Sequence, residues 1–348
     1  MSTPQVPHIS ADSFHYAIST SPSSAQPSSP IVIYLISGNP GLIAYYHTFL
    51  SFLSENIKSQ AIQQEQKCTY HVYGHSLAGF ELEERASDDA VPHARYYDLE
   101  EQIRFVQNKL DTFIATLTGV SAGASSNPKP KVILIGHSVG SYIAMETLRR
   151  HRDRTKSGDS PIDFDIIGGA MLFPTVVDIA KSPSGQKLTR MLYFIPQLAL
   201  VAGLLVRVLA ALVPHSVLRF LVSFYMGSPP DGAVDTTTAF IGSVRGVRQA
   251  LHMAADEMRT ITSDQWSDDV WGMSTVRDPV SRLFFYFGRN DHWVAERTRD
   301  EIIELRGQAP DGPKMVVCEE GLPHAFCLRH SEVMAKKVAT MIMDITAN

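Results

Sequence analysis

The stretch KVILIGHSVGSYIAMETL, residues 131–148, decides the fold. Its first five residues, KVILI, read as a strand whose apolar run over 132–135 is typical of burial on both faces, and residues 141–151 follow a helical pattern. Between them stands Gly136-His137-Ser138-Val139-Gly140, a G-x-S-x-G motif that in this setting predicts a nucleophile elbow. We expect glycine at 136 and 140 because larger side chains would clash across so sharp a turn. The alternative is a helix start that happens to be rich in glycine.

Strand and helix patterns alternate on both sides of this motif. Apolar runs predict five further strands, over 31–36, 70–73, 165–173, 283–287 and 315–318. Helical patterns include residues 97–117 and a closing helix over 332–346. Uniformly apolar strands that alternate with helices predict an α/β fold, with a mainly parallel sheet and helices on both faces.

This alternation stops for about a hundred residues before the strand at 283–287. We therefore predict a flexible N-terminal segment over 1–30, which is rich in Ser and Pro from residue 19, and an α/β core formed by 31–174 and 282–348. Residues 175–281 are predicted to form a helical, apolar cap, inserted before the strand that precedes the expected catalytic acid.

The composition narrows the class of protein. The chain has 348 residues, 44% apolar and 19% charged, with a net charge of −5. This excludes a disordered chain and a basic protein of the kind that binds nucleic acid. Three cysteines do not make a disulfide framework, so we expect thiols in a reducing compartment. The N-terminus lacks the pattern of a signal peptide.

A serine nucleophile needs a base, and the base needs an acid that orients it. Asp291 directly follows the strand at 283–287 and is expected at the same sheet edge as Ser138. His324 lies in the loop before the last helix and is the expected base, whereas His330 is expected at the surface. The competing acids are Asp178 and Asp256.

An oxyanion hole needs two backbone N–H groups. We expect them from Val139 and from Asn39, since Pro40 in the SGNPG turn has no N–H; a plain tight turn is the alternative. Ser76, in GHSLA, also follows a strand. It lacks the second glycine and precedes an acidic stretch, so we expect a loop near the site rather than a second nucleophile.

No phosphate-binding loop, dinucleotide motif or zinc-ligand spacing is present, and no cofactor, metal or nucleic-acid partner is implied. His71 and His75 are four residues apart, but on a strand that spacing separates them by about 13 Å, too far to share one metal ion.

Four stretches together resemble the lipid-droplet-associated hydrolase family of the α/β-hydrolases, in a fungal-like version. They are YLISGNPGLIAYYHTFL, ILIGHSVGSYIAMETL, FFYFGRNDHWV and EEGLPHAFCL, and the resemblance spans about residues 31–345. It implies that Ser138, Asp291 and His324 form the catalytic triad of a serine carboxylic ester hydrolase. It further implies work on sterol esters or neutral lipids at the cytosolic side of lipid droplets and the endoplasmic reticulum.

The charged fraction of 19% is low for a soluble protein. Much of this deficit lies in residues 179–230, which contain no acidic residue and five basic ones. We consider three interpretations: a helix or hairpin lying in a phospholipid monolayer through about residues 188–226, a lid over the active site, and a transmembrane helix. The first two can coexist and suit the composition better, because Pro196, Arg207 and Pro214 interrupt the apolar run.

Two alternatives to a lipid ester hydrolase stay open. One is a catalytically weak or inactive lipid-droplet protein that keeps the fold and influences lipid storage. The other is an acyltransferase, because an acyl-enzyme can pass its acyl group to water or to another alcohol.

Overall fold

A single eight-stranded sheet organises the chain. The computed structural model describes residues 7–20, 29–82, 95–119, 128–195, 197–273, 281–309 and 312–347. The strands are β1 (His8–Ser10), β2 (Ser13–Ser19), β3 (Ile31–Ile36), β4 (Thr69–His75), β5 (Lys131–His137), β6 (Asp165–Leu172), β7 (Arg282–Phe287) and β8 (Lys314–Val317). They follow the order β1-β2-β4-β3-β5-β6-β7-β8. The five pairs from β4 through β3, β5, β6 and β7 to β8 are parallel, whereas β1 with β2 and β2 with β4 are antiparallel. The prediction of a mainly parallel sheet is therefore confirmed.

Helices cover both faces of this sheet. They are α1 (His47–Gln63), α2 (Leu99–Thr118), α3 (Val139–Ser157), α4 (Pro183–Phe194), α5 (Leu198–Leu212), α6 (His215–Tyr225), α7 (Asp231–Gly242), α8 (Gly246–Thr260), α9 (Glu296–Arg306) and α10 (Ser331–Thr346). Strand β3 shows the two layers, because successive side chains of a strand point to opposite faces. Ile33 packs in the core layer with α1 and α10, and its neighbour Tyr34 packs with α2 and α3. The uniformly apolar strand therefore reflects burial on both faces.

The N-terminal segment differs from the prediction. Residues 1–30 were expected to be flexible, but β1 and β2 lie within them, and β2 pairs with β4 along its length. Phe14 and Ile18 of β2 are buried against α1, which explains why this part is ordered. Residues 1–6 and 21–28 of this segment, most of the acidic stretch after Ser76 (83–94) and residues 120–127 lie outside the described residues.

In the part of the chain between β6 and β7 that the structure describes lie five helices, α4 to α8, which we call the cap helices. Within them, α5 packs on α8 at Gly203, where a Cβ atom would lie 2.9 Å from the Cβ of Arg248. Helices α6 and α7 share a small apolar cluster formed by Leu218, Val222 and Val234. A helical insertion before the acid-bearing strand is thus confirmed; its treatment as a separate domain with bounds at 175 and 281 stays a prediction.

Candidate active site

The turn between β5 and α3 forces Ser138 into an unusual backbone conformation. Ser138 has φ of 55° and ψ of −127°, a region that costs a non-glycine residue roughly 1–3 kcal/mol. The flanking glycines make the turn possible. A Cβ atom on Gly136 would lie 2.5 Å from the Cα of Ser141, and one on Gly140 would lie 2.3 Å from the carbonyl oxygen of Ile36. At both positions a side chain would therefore clash with backbone atoms that cannot move aside, as expected from the motif.

The structure brings the three predicted side chains together. His324 Nε2 lies 2.9 Å from Ser138 Oγ, and His324 Nδ1 lies 2.7 Å from Asp291 Oδ2. Because a carboxylate accepts, Nδ1 carries the proton, which leaves the Nε2 lone pair facing the serine hydroxyl. Each residue follows the carboxyl end of a strand in the parallel part of the sheet, namely β5, β7 and β8, so the sheet fixes their separation.

Asp291 is the most deeply buried member of this group. Its side chain is 1% exposed, against 17% for His324, and its second oxygen accepts the backbone N–H of Trp293 at 2.8 Å. The competing acids lie in other settings: Asp178 pairs with Lys181, and Asp256 accepts the N–H of Leu99 at the start of α2.

The other candidates are placed as structural residues. His330, expected at the surface, is half-buried and directly precedes α10. Ser76 is buried; its hydroxyl donates to Asp12 and accepts the N–H of Ile43. Together with Leu77, whose N–H donates to Gly41, it braces the turn that carries Asn39.

The two predicted oxyanion donors come from two different segments next to Ser138. Val139 is the first residue of α3, so its N–H has no acceptor within the helix. The turn with Asn39 approaches from β3: a Cβ atom on Gly38 would lie 3.0 Å from the Cβ of Ser138. Neither amide donates a hydrogen bond to another described residue. Both therefore remain free to bind a developing negative charge.

A buried hydrogen-bond chain links this turn to the loop of His324. His137 Nε2 lies 2.9 Å from the carbonyl oxygen of His324, so that nitrogen carries the proton. Burial, with His324 nearby, lowers the pKa of His137 to about 3, and the neutral ring has Nδ1 unprotonated. Tyr46 therefore donates its hydroxyl to Nδ1 at 2.7 Å and accepts the N–H of Gly38 at 3.1 Å.

The side chain of Asn39 points away from the serine toward the cap. Its Nδ2 donates to the carbonyl oxygen of Ala250 and to Glu257 Oε1, each at 2.9 Å, and both acceptors lie on α8. Burial, with a smaller contribution from Asp256, raises the pKa of Glu257 to about 8. A neutral carboxylic acid thus joins the cap to the turn next to the nucleophile.

Sequence reasoning did not identify Tyr46, Trp293 or Glu257. His137 stood inside the quoted motif, so its place beside the nucleophile was available as a signal. Trp293 stood two residues after the expected acid. Glu257 carried no signal, because its contact with Asn39 joins residues 218 positions apart.

An apolar surface covers the outer side of α4, α5 and α6. Sixteen of the twenty-two exposed large apolar side chains in the described part of the chain lie between Met191 and Tyr225. Among them, Phe194 and Phe224 are each 77% exposed. Within the described residues, no single helix is long and apolar enough to cross a membrane. Helices α4 and α5 meet this length and hydropathy only when taken together, and they are bent by 92° relative to each other.

The five basic residues of this region divide into two groups. Lys181 and Arg219 pair with acidic residues that flank the segment. Lys187, Arg190 and Arg207 are exposed and form no ion pair with another residue that the structure describes. The positive charge that could meet an external partner is therefore smaller than the composition of residues 179–230 indicated.

Comparison with known proteins places the sequence. Residues 29–327 match the family described as lipid-droplet associated hydrolase. The protein named lipid droplet-associated hydrolase from Gallus gallus is 26% identical over 314 residues, covering 90% of this chain and 85% of that protein. Its namesakes from Homo sapiens and Dictyostelium discoideum are 25% and 24% identical, with similar coverage.

Solved structures agree on the architecture. The 2-hydroxy-6-oxo-6-phenylhexa-2,4-dienoate hydrolase from Rhodococcus sp. strain RHA1 is similar with a TM-score of 0.53 and 15% identity, covering 99% of this chain and 98% of that one. At such low identity this likeness shows the fold alone, and with the sheet order above it establishes an α/β-hydrolase fold.

Proposed function

Because this chain belongs to the lipid-droplet-associated hydrolase family, we propose that it is a serine hydrolase of lipid esters that works at the droplet surface. The observation that carries the proposal is the linked geometry of Ser138, His324 and Asp291, with distances of 2.9 and 2.7 Å. This is the arrangement that acyl transfer through a serine requires.

The first half of the reaction forms an acyl-enzyme. Ser138 Oγ attacks the ester carbonyl while His324 Nε2 takes the hydroxyl proton, and Asp291 stabilises the imidazolium through Nδ1. The tetrahedral intermediate then expels the alcohol, which takes the proton from Nε2. The N–H groups of Asn39 and Val139 hold the oxyanion, and the start of α3 adds a favourable dipole.

The second half consumes water. His324 Nε2 removes a proton from water, the resulting hydroxide attacks the acyl carbonyl, and the carboxylic acid leaves as Ser138 regains its proton. If another alcohol replaces the water, the same steps give acyl transfer, so the products distinguish a hydrolase from an acyltransferase.

The substrate class follows from the surroundings of the serine. The cap helices present apolar side chains beside Asn39 and on the outer surface of α4 to α6. Such surroundings favour esters with long apolar chains over small polar ones. Sterol esters and neutral lipids, which the family resemblance implied, are the substrates we propose to test first.

We assign the apolar surface of α4, α5 and α6 to contact with a phospholipid monolayer. A large group of exposed apolar side chains on a protein surface marks an interaction site. Amphipathic helices bury their apolar faces at the boundary between lipid headgroups and acyl chains. The exposed Lys187, Arg190 and Arg207 are suited to anionic headgroups, each contributing about 1 kcal/mol near such a surface. Helices that enter a single lipid layer could lie in the droplet monolayer or in the cytosolic leaflet of the endoplasmic reticulum.

The catalytic part is tested with purified protein and a Ser138→Ala variant. We expect the wild type to release carboxylic acid from emulsified sterol esters or triacylglycerols and to be labelled by a fluorophosphonate. The variant should lose both properties. Turnover or labelling that persists in Ser138→Ala refutes the assignment. An unchanged effect of the variant on stored lipid in cells would instead favour the non-catalytic alternative.

The surface assignment is tested by charge rather than by deletion, because removing α5 would expose the packed face of α8. The double variant Phe220→Glu/Phe224→Glu changes two exposed residues one helical turn apart on α6. Leu305→Glu, at an exposed leucine on α9, is the matched control. We expect only the double variant to lose flotation with phospholipid-coated droplets; equal flotation of both variants would exclude this role for α6.

A further inference from the structure

An apolar cleft of about 330 Å³ opens between the cap and the turn that carries Asn39. Its floor is Asn39 and Pro40. Its walls are side chains with carbon surfaces, from α4, α7, α8 and the loop after β7: Leu188, Phe240, Val247, Leu251, Ala254 and Trp293. Of the lining residues that the structure describes, only Trp293 and Asn39 have polar side-chain atoms, and the Asn39 side-chain amide donates to α8.

The cleft lies close to the reacting group. Asn39 lies next to Gly38, where a Cβ atom would lie 3.0 Å from the Cβ of Ser138, and Trp293 donates its backbone N–H to Asp291. The cleft thus begins between the oxyanion turn and the acid loop. A second cavity, of about 380 Å³, lies between α1, β7 and α10 and has no wall in common with the triad.

The orientation of an ester at Ser138 decides which of its two parts enters the cleft. The leaving alcohol must lie beside His324 Nε2, because that nitrogen gives it a proton. Among the described residues that line the cleft, none belongs to the His324 loop, whereas the turn with Asn39 and Pro40 forms the floor. The part of the ester attached to the carbonyl carbon, the acyl chain, therefore faces the cleft.

We propose that this cleft is the acyl-chain subsite and that α8 sets the length and bulk of the acyl group accepted. The inference rests on the proposed ester hydrolysis and adds to it the residues that select among acyl groups. Each methylene accommodated in an apolar pocket changes the specificity constant by about 10- to 200-fold, so a blocked cleft should act strongly on long chains.

The test uses full-length protein and p-nitrophenyl esters of acetate, hexanoate and decanoate, in which only the acyl part varies. Ala254→Phe fills the cleft from α8. Ala255→Phe, next to it on the same helix and outside the cleft lining, is the matched control. We expect Ala254→Phe to lower kcat/KM for decanoate at least about 10-fold while acetate changes less than about 2-fold. Ala255→Phe should leave the ratio unchanged.

Two further arms make each outcome decisive. Leu251→Ala widens the cleft and should shift preference toward bulkier acyl groups, which separates steric selection from general damage. Acetate esters of short and long alcohols should respond equally to Ala254→Phe. An unchanged acyl ratio in both cleft variants, or discrimination on the alcohol instead, overturns the inference while ester hydrolysis stands. A wild type that cleaves no ester overturns the proposed function itself, and the subsite with it.

Discussion

Glu257 offers the sharpest test of the energetics around the site. Its pKa is about 8 in the folded protein against an ordinary value of 4.5, because burial disfavours the charged form. Between these values the unfolded chain has released the proton and the folded chain still holds it. Folding therefore takes up a proton, and stability falls as the pH rises from 4.5 to 8.

The size of the effect follows from the shift. Each unit of pKa difference corresponds to about 1.4 kcal/mol, so ionisation in the unfolded chain lowers stability by about 3 kcal/mol at pH 7 and about 5 kcal/mol above pH 8. Glu257→Gln is neutral at every pH and keeps an oxygen that can accept from Asn39. We expect its stability advantage over the wild type to be near zero at pH 4 and to grow through this window.

The measurement is urea unfolding of both proteins at pH 4 to 9. Glu55→Gln, at an exposed position on α1, is the matched control and should show no growing advantage. Wild type and Glu257→Gln curves that run parallel across the pH range would refute the buried neutral acid. Activity provides a second readout: Glu257→Gln should retain it, while Glu257→Leu, which cannot accept from the Asn39 side chain, should lower kcat.

Three other substitutions test the remaining geometry. Gly140→Ala places a methyl group 2.3 Å from the carbonyl oxygen of Ile36, and we expect a loss of about 3 kcal/mol or more in urea unfolding together with loss of esterase activity. Tyr46→Phe leaves Nδ1 of His137 without its donor; stability should fall by about 1–3 kcal/mol, and kcat should fall with it, whereas unchanged values would count against the hydrogen-bond chain. Arg219→Ala removes only exposed ion pairs and should leave the melting temperature unchanged, as thermal unfolding can check.

The parts of the site that lie at strand ends could be predicted from the sequence. Ser138, Asp291 and His324 each follow an apolar run, and the end of a parallel strand is a position that a pattern reveals. The same holds for the elbow glycines, whose need follows from a local turn. Strand β2 was missed because it is half-buried and follows an alternating pattern beside a Ser/Pro-rich stretch, rather than a continuous apolar run.

Contacts between distant segments could not be predicted. The hydroxyl of Tyr46, just before α1, reaches His137 at the end of β5, and nothing near residue 46 in the sequence indicates that approach. The pairing of Glu257 with Asn39 depends on how α8 lies over the sheet edge. Such contacts depend on the packing of whole elements, which a single sequence does not encode locally.

The cap also bears on how this chain can change over evolution. Strands β6 and β7 are parallel neighbours, and about a dozen residues suffice to connect such a pair. Here residues 173–281 make that connection, so most of this segment is not needed to link the two strands. Mutations that reshape its outer helices leave the strand register untouched. The exposed faces of α4, α5 and α6 can therefore change over evolution without disturbing the strand ends that position Ser138, Asp291 and His324.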